Sequence, residues 1–354
     1  KIKEELSQNF GAKIQLNYKF DPSLIGGLVL KVGSTMVDNS IKNKLQQIQK
    51  HFEIPFVSED HTELYTLNPD GVIVASPHVF HAEHAKYALE KGCHVLVEKP
   101  MATSTEDAQA LCSIARKTGK TLMTPYGLNH THYMESAADQ VAMESIGNIQ
   151  HVALHMSSAL MDLFGGEPMV ETEKHMYRPH SSTWADPNRA GGYGWGQLSH
   201  ALAALFFVTS LEPESVFART VNSKTGADYY DSAVINFGNG ASAVLSGAAG
   251  LPKHCPPQLD LKIYGTEGML LLDVEPERER LQIRRFDKED IFVQIEKNGG
   301  FGSYSTQESM NRFIDICRGE SPRNCGNHEV GLKTVQVLEA LYKSAKSNET
   351  IICH

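Results

Sequence analysis

Two short apolar runs with a helical stretch between them constrain this chain more than any other feature. Val72 to Ala75 is an apolar run of the length expected for a strand buried on both faces of a parallel sheet. Ser76-Pro77-His78 interrupts it. His81 to Glu90 then has helical spacing, with Ala82, Ala85 and Leu89 on one face, and Gly92 supplies the left-handed residue on which a helix stops. His94 to Val97 is a second buried strand, with Glu98-Lys99-Pro100 at its carboxyl end. In such β-loop-α-β units ligands bind beyond the carboxyl ends of the strands. That makes Lys99 a candidate for chemistry. A surface ion pair closing a strand accounts for the same three residues, and spacing alone does not choose between the two.

Composition excludes several classes. The chain has 354 residues, 41% apolar and 21% charged, which predicts one large or two ordinary globular domains. A net charge of -9 without a basic cluster argues against a nucleic-acid partner. No apolar run approaches spanning length, so membrane insertion is not expected, and no signal-peptide pattern opens the chain. Six cysteines without a Cys-x-x-Cys pair suit a reducing cytoplasm, the expected location. His81 and His84 could share a helix face, but no third ligand accompanies them and no metal site is read.

The order Ser76-Pro77-His78-x-x-His81, helix, then His94 to Ala102 with Glu98-Lys99-Pro100 at its centre, resembles the Gfo/Idh/MocA family of NAD(P)-dependent oxidoreductases. The resemblance runs from about Phe52 to the end of the chain. It implies an α/β fold: an incomplete Rossmann-like parallel-sheet domain over 51–122, then an α/β domain over 123–354 with a large, mostly antiparallel open sheet. It implies NAD or NADP as cofactor, hydride transfer at a hydroxyl or carbonyl carbon of a sugar or cyclitol, and a homo-oligomer formed through the C-terminal sheet. Lys99 would be catalytic. Ser76, Pro77, His78, His81, Glu98 and Asn129 would face the cofactor with it. Tyr126 would lie near the nicotinamide and substrate.

The second catalytic candidate is His200, which follows the glycine-rich stretch Ala190 to Gly196. The family commonly has an aspartate four residues before this histidine, and here that position is Gly196. The resemblance implies that Gln197 would lie on the substrate side, but neither it nor Ser199 can take a full proton. Oxidation of a carbinol needs a group to remove the hydroxyl proton. Lys99 and His200 would share that task, since an imidazole titrates near working pH and burial can bring a lysine there. A core histidine and a packed tyrosine are the alternatives for His200 and Tyr126.

Residues 1–50 break the pattern. A dinucleotide-binding domain opens with strand, glycine-rich turn and helix, then an acidic ribose ligand, and none of these is present. Lys1 to Phe10 reads as the end of an amphipathic helix, Ile14 to Phe20 as a strand, Asp21-Pro22-Ser23 as a turn, Gly27 to Val37 as a second strand, and Asn39 to Lys50 as a helix with Ser40 as its cap. The run from Asp21 to Gly33 and from Val37 to Leu45 resembles the C-terminal part of the δ subunit of bacterial F-type ATP synthase. In that family the segment belongs to the peripheral stalk and carries no catalysis. The junction falls near Lys50 to Phe52. The chain thus reads as a fusion, with ATP synthase contact confined to residues 1–50 and weak dinucleotide binding. The alternatives are a non-catalytic binding or stalk-related protein, and a non-functional chimera.

Beyond the junction, periodicity predicts strands at Ile54 to Val57, Thr121 to Thr124 and Ile149 to Ser158, then six more between Ser215 and Arg285. It predicts helices at His61 to Leu67, Thr105 to Thr118, Met134 to Met143, Thr306 to Cys317 and Glu329 to Lys346, an apolar helix that starts at His200 and runs through Phe207, and a long irregular segment from Leu160 to Asn188.

Overall fold

A computed structural model describes residues 29–32, 35–38, 46, 49–51, 53–167, 181–275, 278, 280–295 and 305–354. The chain divides into two compact units, Lys1–Asn68 and Pro69–His354.

In the first unit, β1 (Val29–Val32) and β2 (Thr35–Asp38) form an antiparallel hairpin in which Val32 faces Thr35. The single strand expected from Gly27 to Val37 is therefore two. Gly33-Ser34, between the paired residues, is a composition that two-residue hairpin loops favour. The elements expected within residues 1–28, the Ser40 cap and most of the helix over 39–50 lie outside the described residues, although Gln46 and residues 49–51 are helical. Ile54 to Val57 is not a strand. Among the described residues it has no pairing partner, and Ile54 and Val57 are exposed, so these β-favouring side chains pack on no neighbouring strand there. His61–Leu67 forms a 3₁₀ helix, capped where Asp60 accepts from the Thr62 N–H at 2.8 Å.

The second unit opens with β3 (Gly71–Val74), α1 (His81–Glu90), β4 (His94–Val97), α2 (Thr105–Thr118) and β5 (Leu122–Met123). The strands form a three-stranded parallel sheet in the order β3-β4-β5, with Gly71 beside His94 and Val95 beside Leu122. Helix α2 is bounded as its sequence dictates. Ser104 accepts from the Asp107 N–H, acidic residues fill the first turn and basic ones the last, and Gly119 ends it at φ +67°. Helices α1 and α2 pack together beside β4. Among the described residues strand β3 is an edge, and its Ile73 is 50% exposed.

There follow α3 (His132–Ala142), β6 (Ile149–Ser157), α4 (Met161–Gly165), α5 (Ser181–Trp184) and, after a π-helical turn at Gly194–Leu198, α6 (Ser199–Val208). Strands β7 (Pro213–Asn222), β8 (Asp228–Phe237), β9 (Ser242–Ala248), β10 (Gln258–Gly265), β11 (Gly268–Asp273), β12 (Arg280–Arg285) and β13 (Ile291–Val293) come next. The chain closes with α7 (Thr306–Cys317), α8 (His328–Ser347) and β14 (Ile351–Ile352).

Nine strands make the second sheet, in the order β13-β12-β11-β10-β6-β9-β8-β7-β14, and every neighbouring pair is antiparallel except β6 with β9. Strict alternation along β8 and β10 sends Ala233, Ile235, Leu261 and Ile263 to a buried face. Helix α8 packs on β7 and on α6, which is apolar on every side and almost wholly buried. The edge strands β13 and β14, too short to show periodicity, were not expected. Helix α7 returns to the parallel sheet, where Phe313 and Ile316 join Leu96 and Met123 in one core. Among the described residues no helix is long and apolar enough to cross a membrane.

Candidate active site

The parallel sheet delivers Lys99 to the second sheet domain. Strand β4 ends at Val97, Glu98 turns outward, and the Lys99–Pro100 peptide is cis. The Lys99 ammonium donates to the Gly196 carbonyl at 2.6 Å and sits 5.2 Å from the Trp184 ring centroid. Trp184 in turn meets the edge of His78 at 5.0 Å. His78 Nδ1 lies 2.9 Å from the Ala190 carbonyl. A carbonyl only accepts, so Nδ1 carries the proton. His81 places Nδ1 and Nε2 each 2.7 Å from a carbonyl, those of Pro100 and Ser76. Ser76 Oγ also meets His84 Nδ1 at 3.0 Å. The Ser76-Pro77-His78 loop is thereby tied on one side to the peptide after Lys99 and on the other to the glycine-rich approach at Ala190.

Gly196 belongs to a π-helical turn, a form that occurs mostly as single turns at functional sites. A Cβ on Gly196 would lie 2.7 Å from Phe164 Cζ and 2.8 Å from its Cε1. Phe164 is fully buried, so an aromatic ring fills the space a side chain at 196 would need. The backbone carbonyl receives the lysine at the position where the sequence resemblance implies an aspartate. Gln197 lies half-buried on the same turn. His200 follows on α6, buried, with its ring edge-on to Tyr126 at 6.3 Å. Tyr126 is fully enclosed, with Thr334 and Thr124 near its hydroxyl but no hydrogen bond formed to it among the described residues. Asn129 is placed differently from the expectation. It is fully buried and its amide donates to the Ala203 and Cys325 carbonyls, which makes it a brace between segments rather than a group facing a cofactor.

Electrostatics follow from the packing. Burial brings the Lys99 ammonium down to about 8, with Glu98 opposing it. Burial, reinforced by the Lys99 charge, holds His200 well below the usual histidine range. Burial also lowers His78 to about 4 and pushes His81 down, although the carbonyls beside both rings oppose it. At neutral pH the His78 and His200 rings are neutral beside the Lys99 cation, which loses its proton in mild alkali, whereas His81 can donate to both of its carbonyls only as an imidazolium, so burial and its hydrogen bonds oppose each other.

The residues present fit half of a dinucleotide. The Glu98-Lys99 corner at a strand end suits the nicotinamide side. Among the described residues, neither helix that follows a strand of the parallel sheet opens on a glycine-rich turn of the kind that cradles a pyrophosphate.

A parallel-sheet domain whose strand-end lysine meets a large open-sheet domain defines a Rossmann-type oxidoreductase fold. Sequence comparison makes this specific. Residues 33–126 match the description "Oxidoreductase family, NAD-binding Rossmann fold", residues 134–271 match "GFO/IDH/MocA C-terminal domain", and residues 1–52 match "ATP synthase delta (OSCP) subunit". The ATP synthase subunit delta of Pelagibacter ubique is 75% identical over 48 residues, 14% of this chain and 26% of that protein. The 1-carboxy-3-chloro-3,4-dihydroxycyclo hexa-1,5-diene dehydrogenase of Comamonas testosteroni is 29% identical over 204 residues, 56% of this chain and 47% of that one. D-xylose 1-dehydrogenase (NADP(+)) 2 of Haloferax volcanii is 25% identical over 290 residues, 80% of each. The chain thus spans about a quarter of the delta subunit and under half of the diene dehydrogenase. Among solved structures, an oxidoreductase from Thermotoga maritima superposes with a TM-score of 0.68 at 20% identity, covering 89% of this chain and 90% of that one. A levoglucosan dehydrogenase in complex with NADH and levoglucosan superposes at 0.69 with 17% identity, covering 89% and 88%. The chain thus carries Gfo/Idh/MocA oxidoreductase domains together with an ATP synthase delta-type segment at its N-terminal end, a fusion-like architecture.

Proposed function

We propose that the chain is an NAD(P)-dependent oxidoreductase acting on a hydroxyl or carbonyl carbon of a sugar-like or cyclitol-like ring, with cofactor binding impaired. The observation that carries this reading is the Lys99 ammonium, held on the Gly196 carbonyl and brought down to about 8. A bound nicotinamide supplies the hydride acceptor or donor. In the oxidising direction the neutral Lys99 amine takes the hydroxyl proton, and His200, kept neutral, hydrogen-bonds the same oxygen. In reduction the Lys99 ammonium returns the proton. The sugar and cyclic-diol dehydrogenases among the relatives support this substrate class. NAD and NADP are both compatible, because the usual ribose-reading segment is replaced by residues 1–50. Residues 1–50 form the delta-like segment, 51–122 the remainder of the dinucleotide domain, and 123–354 the substrate and oligomerisation domain.

Lys99→Ala should cut turnover far more than it weakens cofactor binding, and an Ala variant with unchanged turnover removes the lysine from the mechanism. Titration calorimetry should show NADH or NADPH binding weaker than in members with an intact glycine loop by about two or more tenfold steps. Micromolar or tighter binding would contradict the impairment. The identity between residues 1–52 and delta subunits favours a second reading, a stalk-associated binding protein. Retention of the chain on purified ATP synthase, with no turnover at saturating cofactor, would select it.

A further inference from the structure

Beside the π-helical turn lies a buried carboxyl pair that the reading above does not use. Asp228, the first residue of β8, is 2% exposed. Its Oδ2 accepts from the Gly194 N–H at 2.7 Å, and its Oδ1 accepts from the Tyr342 hydroxyl at 2.7 Å. The Tyr342 oxygen itself accepts from the Trp195 N–H at 3.2 Å, and its ring stacks on the Trp195 indole with centroids 5.7 Å apart and planes 6° from parallel. Gly194 and Trp195 open the turn whose next residue receives Lys99. Their N–H groups are those a helical start leaves without an internal partner. The glycines are required there: Gly192 has φ +119° and a Cβ on it would overlap Asp228 Oδ1, while one on Gly194 would meet the Tyr342 hydroxyl. Asp231, also 2% exposed, lies beside Asp228; burial and the neighbouring charge hold it well above the usual carboxylate range, while burial raises Asp228 too, against the donors that favour its ionised form.

We propose that Asp228 and Tyr342 are positioning residues for Lys99, clamping the Gly194 to Gly196 backbone so that its carbonyl receives the ammonium and water stays out. The inference rests on Lys99 being the reactive amine. Glu98, His78, His81 and His200 are the titratable groups whose charges bear on Lys99. None of these belongs to the clamp, so a change in Lys99 on cutting the clamp reports admitted water.

The test is competitive acylation of Lys99 in the full chain as a function of pH, read by peptide mass spectrometry, which needs no turnover. The wild type should reach half-reactivity near pH 8. Tyr342→Phe, which loses the hydroxyl but keeps the stacked ring, should move the midpoint toward that of a free lysine by about one unit. Asp228→Asn keeps the shape and one acceptor and should move it less. Leu338→Ala, a buried truncation on the same helix, should lower the melting temperature and leave the midpoint in place. An unmoved midpoint in Tyr342→Phe and Asp228→Asn overturns the proposal, as does an equal shift in Leu338→Ala. Unchanged turnover in Lys99→Ala would defeat the catalytic reading without touching this titration.

Discussion

His130 shows how burial sets a residue's response to acid. It is 3% exposed, and burial, aided by the Arg312 charge, lowers it to about 4. In the unfolded chain the ring titrates near 6.5. Above that pH neither state binds the proton. As pH falls from 7 to 5 the unfolded ring takes up a proton that the native ring refuses, so the native state loses about 2 kcal/mol through this group. The loss is complete only below the native value. His130→Leu should therefore gain on the wild type by about that amount between pH 7 and pH 5, measured by urea unfolding at both values. A stability gap independent of pH would show that the ring is already protonated in the native state or reached by water.

The π-helical turn is the element on which the site depends. Its glycine at 196 leaves room for Phe164, and the carbonyl of the same residue receives Lys99. Gly196→Ala should destabilise the chain by about 1–3 kcal/mol in urea unfolding, since the buried ring cannot move aside and overpacking costs that much. Gly196→Asp restores the carboxylate common in the family, yet it should lower stability too and bring no rise in turnover. If either variant is as stable as the wild type, Phe164 is not a rigid wall and the account of the missing carboxylate fails. The turn's own start depends on groups distant in sequence, Asp228 on β8 and Tyr342 on α8, which no local pattern around Gly194 announces.

The outer face of the nine-stranded sheet bears on assembly of the whole molecule. Phe217, Val234 and Val244 are exposed and stand directly across β7, β8 and β9 from one another, with Ala153 next in the row. A homo-oligomer formed through this sheet would use an apolar row of this kind as its association surface, with a second copy of the chain as the occupant. Val234→Glu should convert the oligomer to monomer in light scattering while leaving the far-ultraviolet circular dichroism unchanged. A wild-type chain that is already monomeric at high concentration would contradict the expected assembly.

Local chemistry was enough to determine much of this protein. Apolar runs, helical spacing and stop residues placed β3, α1, β4 and α2, and alternation placed β6 through β12, because burial periodicity is written in consecutive residues. The same reading failed at Ile54 to Val57, where strand-favouring side chains have no neighbouring strand to pair with among the described residues, and at β13 and β14, which are too short to carry a period. Lys99 and His200 were legible as candidates through a motif and a glycine-rich approach. Tertiary packing alone decided that the Gly196 carbonyl receives Lys99, that Phe164 occupies the place of a carboxylate, that Asn129 braces α6, and that Asp228 and Tyr342 secure the turn. Those contacts join residues as far apart in sequence as Trp195 and Tyr342, and they follow from which surfaces the folded chain presses together.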